Sequence, residues 1–134
     1  SIQFEALFAA ADLVCVTAAE GASTLPIAMS MAAALPIVAT VNRTTSELLE
    51  DRHTAAMVAQ DRARLVARRI LDVREDAQLQ WSISDMARTE AYEFFSLTRF
   101  ANQWRTVYRQ AVAGERVKVP EPQAGAGLRV HGRA

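Results

Sequence analysis

Residues 13–42 read LVCVTAAEGASTLPIAMSMAAALPIVATVN, and the 22 of them from Gly21 to Asn42 carry no charge between Glu20 and Arg43. A run of that length is nominally able to cross a bilayer. Its punctuation argues for another outcome. Pro26 and Pro36 each interrupt a continuous helix, the large apolar residues are diluted by Ala, Ser, Thr, Gly and Asn, and no aromatic or basic anchors sit at both ends. Proline is tolerated in a first helical turn, so the run divides into a buried helix Leu25–Ala34 and a short buried strand Ile37–Thr40. Ahead of them, LVCVT at Leu13–Thr17 is valine-rich with no outward polar alternation, as expected of a strand covered on both faces of a parallel sheet. Strand, helix and strand form a βαβ unit, and the expected fold class is α/β. No transmembrane segment is expected; a small membrane-inserted protein using the uncharged run is the competing reading.

Working outward, a helix around Gln3–Ala10 carries Phe4, Leu7 and Phe8 on one face and stops at Asp12. Thr44-Thr45-Ser46-Glu47 spells a capping box opening a short helix Thr45–Glu50. Thr54–Val58 is a candidate further strand. From Asp61 the pattern is helical: Asp61 is placed to cap a helix with Leu65, Val66, Ile70 and Leu71 on one face and Arg62, Arg64, Arg68 and Arg69 around the other. A second helix is predicted from about Asp76 to Glu93. A third is capped by Ser96, and its stripe of Leu97, Phe100, Ala101, Trp104, Val107, Tyr108 and Ala111 is expected to pack against the domain. The expected domain is 1–113, with 114–134, which lacks apolar periodicity, as a flexible tail.

Composition narrows the function classes. The 134 residues hold 15 basic and 15 acidic groups, 51% hydrophobic residues and one cysteine. Cys15 alone, with His53 and His131 far apart, supports neither a disulfide framework nor a zinc ribbon, and no metal is expected. Zero net charge and few aromatics give no pull toward nucleic acid. The zero is a cancellation: residues 1–50 hold Arg43 against Glu5, Asp12, Glu20, Glu47 and Glu50, a net of −4 that the remainder offsets. The arginine-rich helices read as solvated faces, and Lys118, the only lysine, lies in the tail. The first ten residues contain an acid and no basic cluster, so they are not a signal peptide, and the chain is expected to be part of something longer.

In open parallel sheets ligands bind beyond the carboxyl ends of the strands, which places a candidate site in the loops Ala18–Thr24 and Val41–Thr44. Glu20 can accept sugar hydroxyls. Gly21 lets backbone approach a ligand, and Gly21, Ala22, Ser23 and Thr24 lead into a helix start whose amides and dipole favour a phosphate. Such a pairing suits a nucleotide sugar; plain N-capping by Ser23 and Thr24 and a solvated Glu20 remain the alternatives.

The order of motifs resembles the C-terminal domain of group 1 (family 4) glycosyltransferases of the GT-B fold. Ala11-Asp12, the strand, Glu20-Gly21, Met31-Ala32, Leu35-Pro36-Ile37-Val38-Ala39-Thr40 and Glu47 stand in the family's order. Phe95-Ser96 followed by Gln103, Trp104 and Tyr108 looks like the opening of its terminal helix. The resemblance covers roughly residues 2–112 and implies a Rossmann-like partial parallel sheet flanked by helices with a helical C-terminal part, half of a GT-B fold.

It also implies a role in binding a nucleotide-diphosphate sugar for retaining, metal-independent transfer to an acceptor. Glu20 matches the first glutamate of the family's Glu-x7-Glu pair, which contacts the donor sugar. The second glutamate, which usually binds the ribose, falls on Ala28, or on Met29 if one residue is inserted. The family's Pro-Ser is Thr17-Ala18, its glycine before Leu-Pro is Ala34, and its later glycines are replaced around Asn42–Thr44, differences expected to cluster at the ligand edge. Glu47 resembles a family acid that the capping box already engages. No catalytic acid or base can be named. A two-domain enzyme needs about 150 residues or more per domain, so an N-terminal acceptor-binding domain is the implied missing partner. A cytoplasmic protein is expected, with peripheral membrane association left open. The rival reading is a non-catalytic binding or assembly module that kept the scaffold and lost the site.

Overall fold

The computed structural model describes residues 4–17, 19–59 and 62–115, without the side chains of Phe4 and Glu5. The predicted Asp61 cap, Lys118 and the tail from residue 116 lie outside the described residues. In chain order the elements are α1 (Phe4–Ala10), β1 (Val14–Val16), α2 (Leu25–Ala32), β2 (Ile37–Thr40), α3 (Arg43–Ser46), β3 (Ala56–Val58), α4 (Ala63–Glu75), α5 (Ala77–Phe94) and α6 (Leu97–Val112). The three strands form one parallel sheet in the order β1-β2-β3, with Cys15 opposite Val38 and Ala39 opposite Met57. All four residues of the central strand are buried, which is why its sequence is a continuous apolar run ending in Thr40.

The pleat divides the core. Ile37 and Ala39 pack with Val16, Ile27, Met31, Met57, Ala87 and Ala91, so this layer is closed by α2 and the later part of α5. Val38 points the other way, into Ala56, Val58, Val73 and Ile83, backed by Val66, Ile70 and Leu79 of α4 and early α5. His53 Nε2 lies 3.2 Å from Glu90 Oε1 and ties the turn before β3 to α5.

Helix starts follow local chemistry. The Asp76 side chain accepts from the Leu79 amide at 2.9 Å and Ser96 Oγ from the Arg99 amide at 3.3 Å, as their positions predict. The capping box lies elsewhere than expected. Asn42, in extended conformation, accepts the Thr45 amide at 2.9 Å while Thr45 Oγ1 takes the Asn42 amide at 3.0 Å, so the helix begins at Arg43 and ends at Ser46. Asn-x-x-Thr outcompetes Thr-x-x-Glu because Thr45 is buried and its hydroxyl also donates to the Thr40 carbonyl at 2.7 Å. The strand foreseen at Thr54–Val58 starts two residues late. Glu50 O accepts the amides of His53, Thr54 and Ala55, a tight turn that occupies those backbone groups first.

α2 ends in a Schellman motif: the Ala34 amide bonds Met31 O at 3.0 Å and the Leu35 amide bonds Ser30 O at 3.1 Å, with Ala34 at φ 55°. This is a left-handed position that glycine serves at less cost. Ala34 therefore sits where the chain turns into the amino end of β2, and its departure from the family's glycine is a matter of helix termination, away from the ligand edge.

The stripe on α6 also overturns its expectation. Leu97, Phe100, Trp104 and Tyr108 are 80, 56, 45 and 64% exposed, and no residue of α6 is buried. Among the described residues their ring pairs run along the helix itself, Phe100 to Trp104 at 5.9 Å and Trp104 to Tyr108 at 5.6 Å between centroids. Amphipathic spacing specifies that a face is apolar and does not specify what covers it. Among the described residues no helix is long and apolar enough to cross a membrane.

Candidate functional site

The carboxyl ends of β1 and β2 lie side by side, joined where Thr40 Oγ1 donates to Val16 O at 3.5 Å. From this edge spring the loop that carries Glu20 and the short α3. Gly21 adopts φ 80°, a conformation that L side chains rarely take, although a Cβ there would meet nothing within 4 Å. The glycine is required by backbone angle and not by crowding. Glu20, one residue earlier, is exposed and makes no hydrogen bond or ion pair among the described residues.

The amides between Glu20 and α2 are not equivalent. Ala22 donates to Ala19 O at 3.2 Å, the Leu25 amide meets Ser23 Oγ at 3.3 Å, and Pro26 has none to give. Thr24 is the N-cap residue but makes no side-chain cap. Gly21 N–H donates to Thr44 Oγ1 at 2.9 Å, across 23 residues of sequence. The backbone amides of Ser23 and Thr24 are left without a partner among the described residues, immediately ahead of an eight-residue helix. They are the groups best suited to an anion.

Glu47 stands apart from Glu20 in character. Its side chain takes no part in the capping box, and the residue stands at the C-cap of α3, where its Oε1 accepts from Arg43 Nε at 3.3 Å in an exposed i,i+4 pair. Arg43 is the cation nearest this edge in sequence; it and Thr44 lie in the Val41–Thr44 loop that the sequence marks, although neither is singled out there as a binding residue. The signal for Thr44 was present only as a hydroxyl where the family places glycine. Ala28 and Met29, in the first turns of α2, are half-buried and offer no oxygen for a ribose hydroxyl.

Below the loop, Val14, Cys15, Val16, Thr17, Ser23, Pro26 and Ile27 line an open groove of about 360 Å³ along β1, an edge strand. Partial burial against the groove wall pushes the Cys15 thiol up from its usual range even though the residue remains open to solvent. Among the described residues no three His, Cys, Asp or Glu side chains converge as metal ligands.

No curated protein matches the chain by sequence. The family model for the group 1 glycosyl transferases matches residues 2–76, more than half of the chain, and the chain belongs to that family. Its fold is similar to the C-terminal domain of a group 1 family glycosyl transferase, LpcC, from Francisella tularensis, with a TM-score of 0.62 and 18% identity over 68% of this chain and 47% of that one. Sucrose-phosphate synthase from Thermosynechococcus elongatus gives a TM-score of 0.74 at 20% identity, covering 81% of this chain and 27% of that one. HepE from Anabaena, in complex with UDP-glucose, gives 0.67 at 24% identity, covering 81% and 29%. The chain therefore spans under half of the first of these structures and under a third of the other two. These likenesses show the α/β fold, a parallel sheet flanked by helices as in GT-B glycosyltransferase domains.

Proposed function

We propose that this chain is the donor-binding end of a retaining glycosyltransferase that takes a nucleotide-diphosphate sugar without a metal. The observation that carries the reading is Glu20, an exposed carboxylate with no partner among the described residues, standing beside the Gly21 turn and the unpartnered Ser23 and Thr24 amides at the carboxyl edge of a parallel sheet. In this reading Glu20 accepts donor-sugar hydroxyls. The Ser23 and Thr24 amides, aided by the α2 dipole, receive the diphosphate as the bond from the anomeric carbon to its oxygen breaks. The acceptor oxygen then bonds that carbon on the face the diphosphate leaves, and its proton passes to the departing diphosphate oxygen.

The acceptor site belongs to a part outside these 134 residues. The uncovered α6 face and the open edge of β1 support a reading in which that part, including an N-terminal acceptor-binding domain, packs on them. The protein then works in the cytoplasm, peripheral to a membrane if its acceptor is a lipid.

Calorimetric titration with UDP-glucose and with UDP tests the site. Glu20→Ala should weaken UDP-glucose and leave UDP unchanged, because the carboxylate serves the sugar. Equal affinity of both forms for UDP-glucose would remove Glu20 from the site, and no binding of any nucleotide sugar by the unaltered protein would remove the function. One observation favours a second reading, a non-catalytic module on the same scaffold: Ala28 and Met29 stand where a ribose-binding acid is usual. Sugar transfer or nucleotide-sugar hydrolysis by the protein would exclude it.

A further inference from the structure

The Gly21–Thr44 hydrogen bond ties the loop that carries Glu20 to α3, across 23 residues of sequence. Thr44 is itself well anchored. It lies in α3, whose start is fixed by the Asn42–Thr45 exchange and by the bond from buried Thr45 to the end of β2. The hydroxyl of Thr44 accepts from Gly21, and no acceptor for its own proton occurs among the described residues. A hydroxyl that accepts from a backbone amide is polarised toward donating, and its hydrogen must turn away from the amide it faces.

We propose that Thr44 is a further binding residue of the donor site, giving its hydroxyl proton to an oxygen of the nucleotide diphosphate. Gly21 acts through it: the amide orients the hydroxyl and does not meet the phosphate itself. The position that glycine occupies in the family thus carries a side-chain donor here, bonded to the loop two residues before Ser23. The inference rests on the proposed donor-binding function.

The test is the affinity of the unaltered protein, Thr44→Val and Thr44→Ser for UDP, GDP and ADP and for the matching nucleosides, measured by calorimetry, with amide NMR spectra of each form. Valine keeps the shape and removes the hydroxyl. For the diphosphate that the unaltered protein binds, Thr44→Val should lose about tenfold or more, in the range of a hydrogen bond to a charged group. Thr44→Ser should stay within about threefold, and the nucleoside should be unaffected by either change. The Gly21 amide resonance should shift in Thr44→Val and stay near its place in Thr44→Ser.

Unchanged diphosphate affinity in a folded Thr44→Val overturns this inference and leaves the donor-binding reading standing. Parallel losses for diphosphate and nucleoside also overturn it, since they report a disturbed loop and not a lost phosphate contact. Tighter diphosphate binding in Thr44→Val would mean that the hydroxyl competes for the Gly21 amide, the reverse of the proposal. If Thr44→Val does not fold, Thr44→Ala takes its place: a loss of about tenfold or more for the diphosphate alone supports the proposal, and any smaller loss overturns it. Failure of the unaltered protein to bind any of the three diphosphates brings down the donor-binding reading, and this one with it.

Discussion

Asn42 and Thr45 satisfy each other's backbone amides at 2.9 and 3.0 Å, and the second of these residues is almost fully buried. That exchange, with the bond from Thr45 Oγ1 to Thr40 O, sets the direction in which the chain leaves β2 and therefore where Thr44 stands.

Replacing Thr45 by valine keeps the volume but leaves the Asn42 amide and the Thr40 carbonyl without this partner. A loss of about 2–3 kcal/mol is expected from urea unfolding. Asn42→Ala, which removes the cap acceptor, should cost about 1 kcal/mol or more.

Ala34 holds a left-handed conformation at the end of α2. Glycine adopts it without the Cβ penalty, so Ala34→Gly should stabilise the protein by about 1 kcal/mol despite enlarging the freedom of the unfolded chain. A higher denaturation midpoint at unchanged slope would show it; a lower midpoint would mean that unfolded-state entropy dominates at this position.

Burial separates α5 from α6. Ala87 is fully enclosed, so Ala87→Leu should cost about 1–3 kcal/mol or prevent folding. Trp104→Gln on the open face of α6 should change the unfolding free energy by under about 1 kcal/mol while improving solubility. Equal destabilisation by the two substitutions would place α6 against the core after all.

Cys15 faces the groove with its thiol pKa raised by partial burial. Fewer thiolates at neutral pH mean slower alkylation than a free cysteine, with the rate rising over a higher pH range. For an acid whose folded pKa is raised, the unfolded chain loses its proton first. The contribution of Cys15 to stability is therefore intact below the ordinary thiol pKa and declines as pH climbs through that value toward the folded one. Iodoacetamide rates across pH, in folded and urea-unfolded protein, check the order of the two curves.

Much of the framework was legible because it rests on local rules. Ile37–Thr40 is a strand at both of its predicted ends, since a central parallel strand must be apolar on both faces and Pro36 marks its start. Ser96 caps the helix it was expected to cap, and Asp76 caps the one predicted to begin there. What escaped depends on partners distant in the chain. Two overlapping cap patterns, Asn42-x-x-Thr45 and Thr44-x-x-Glu47, are nearly equivalent as text, and the burial of Thr45 decides between them. The pairing of Gly21 with Thr44 joins residues that no local pattern connects. The position of Glu20 and its neighbouring amides after the end of β1 was legible, whereas which of those amides are engaged depends on how the loop folds back on Thr44 and on itself.

α5 gives Leu79 and Ile83 to one side of the sheet and Ala87 and Ala91 to the other. Peeling either side away therefore means dislodging the same helix, which leaves little room for a half-melted form that keeps one layer. The strands and helices of this small sheet should come apart in one cooperative event, with the amides of β2 and α5 exchanging only when the whole unit opens.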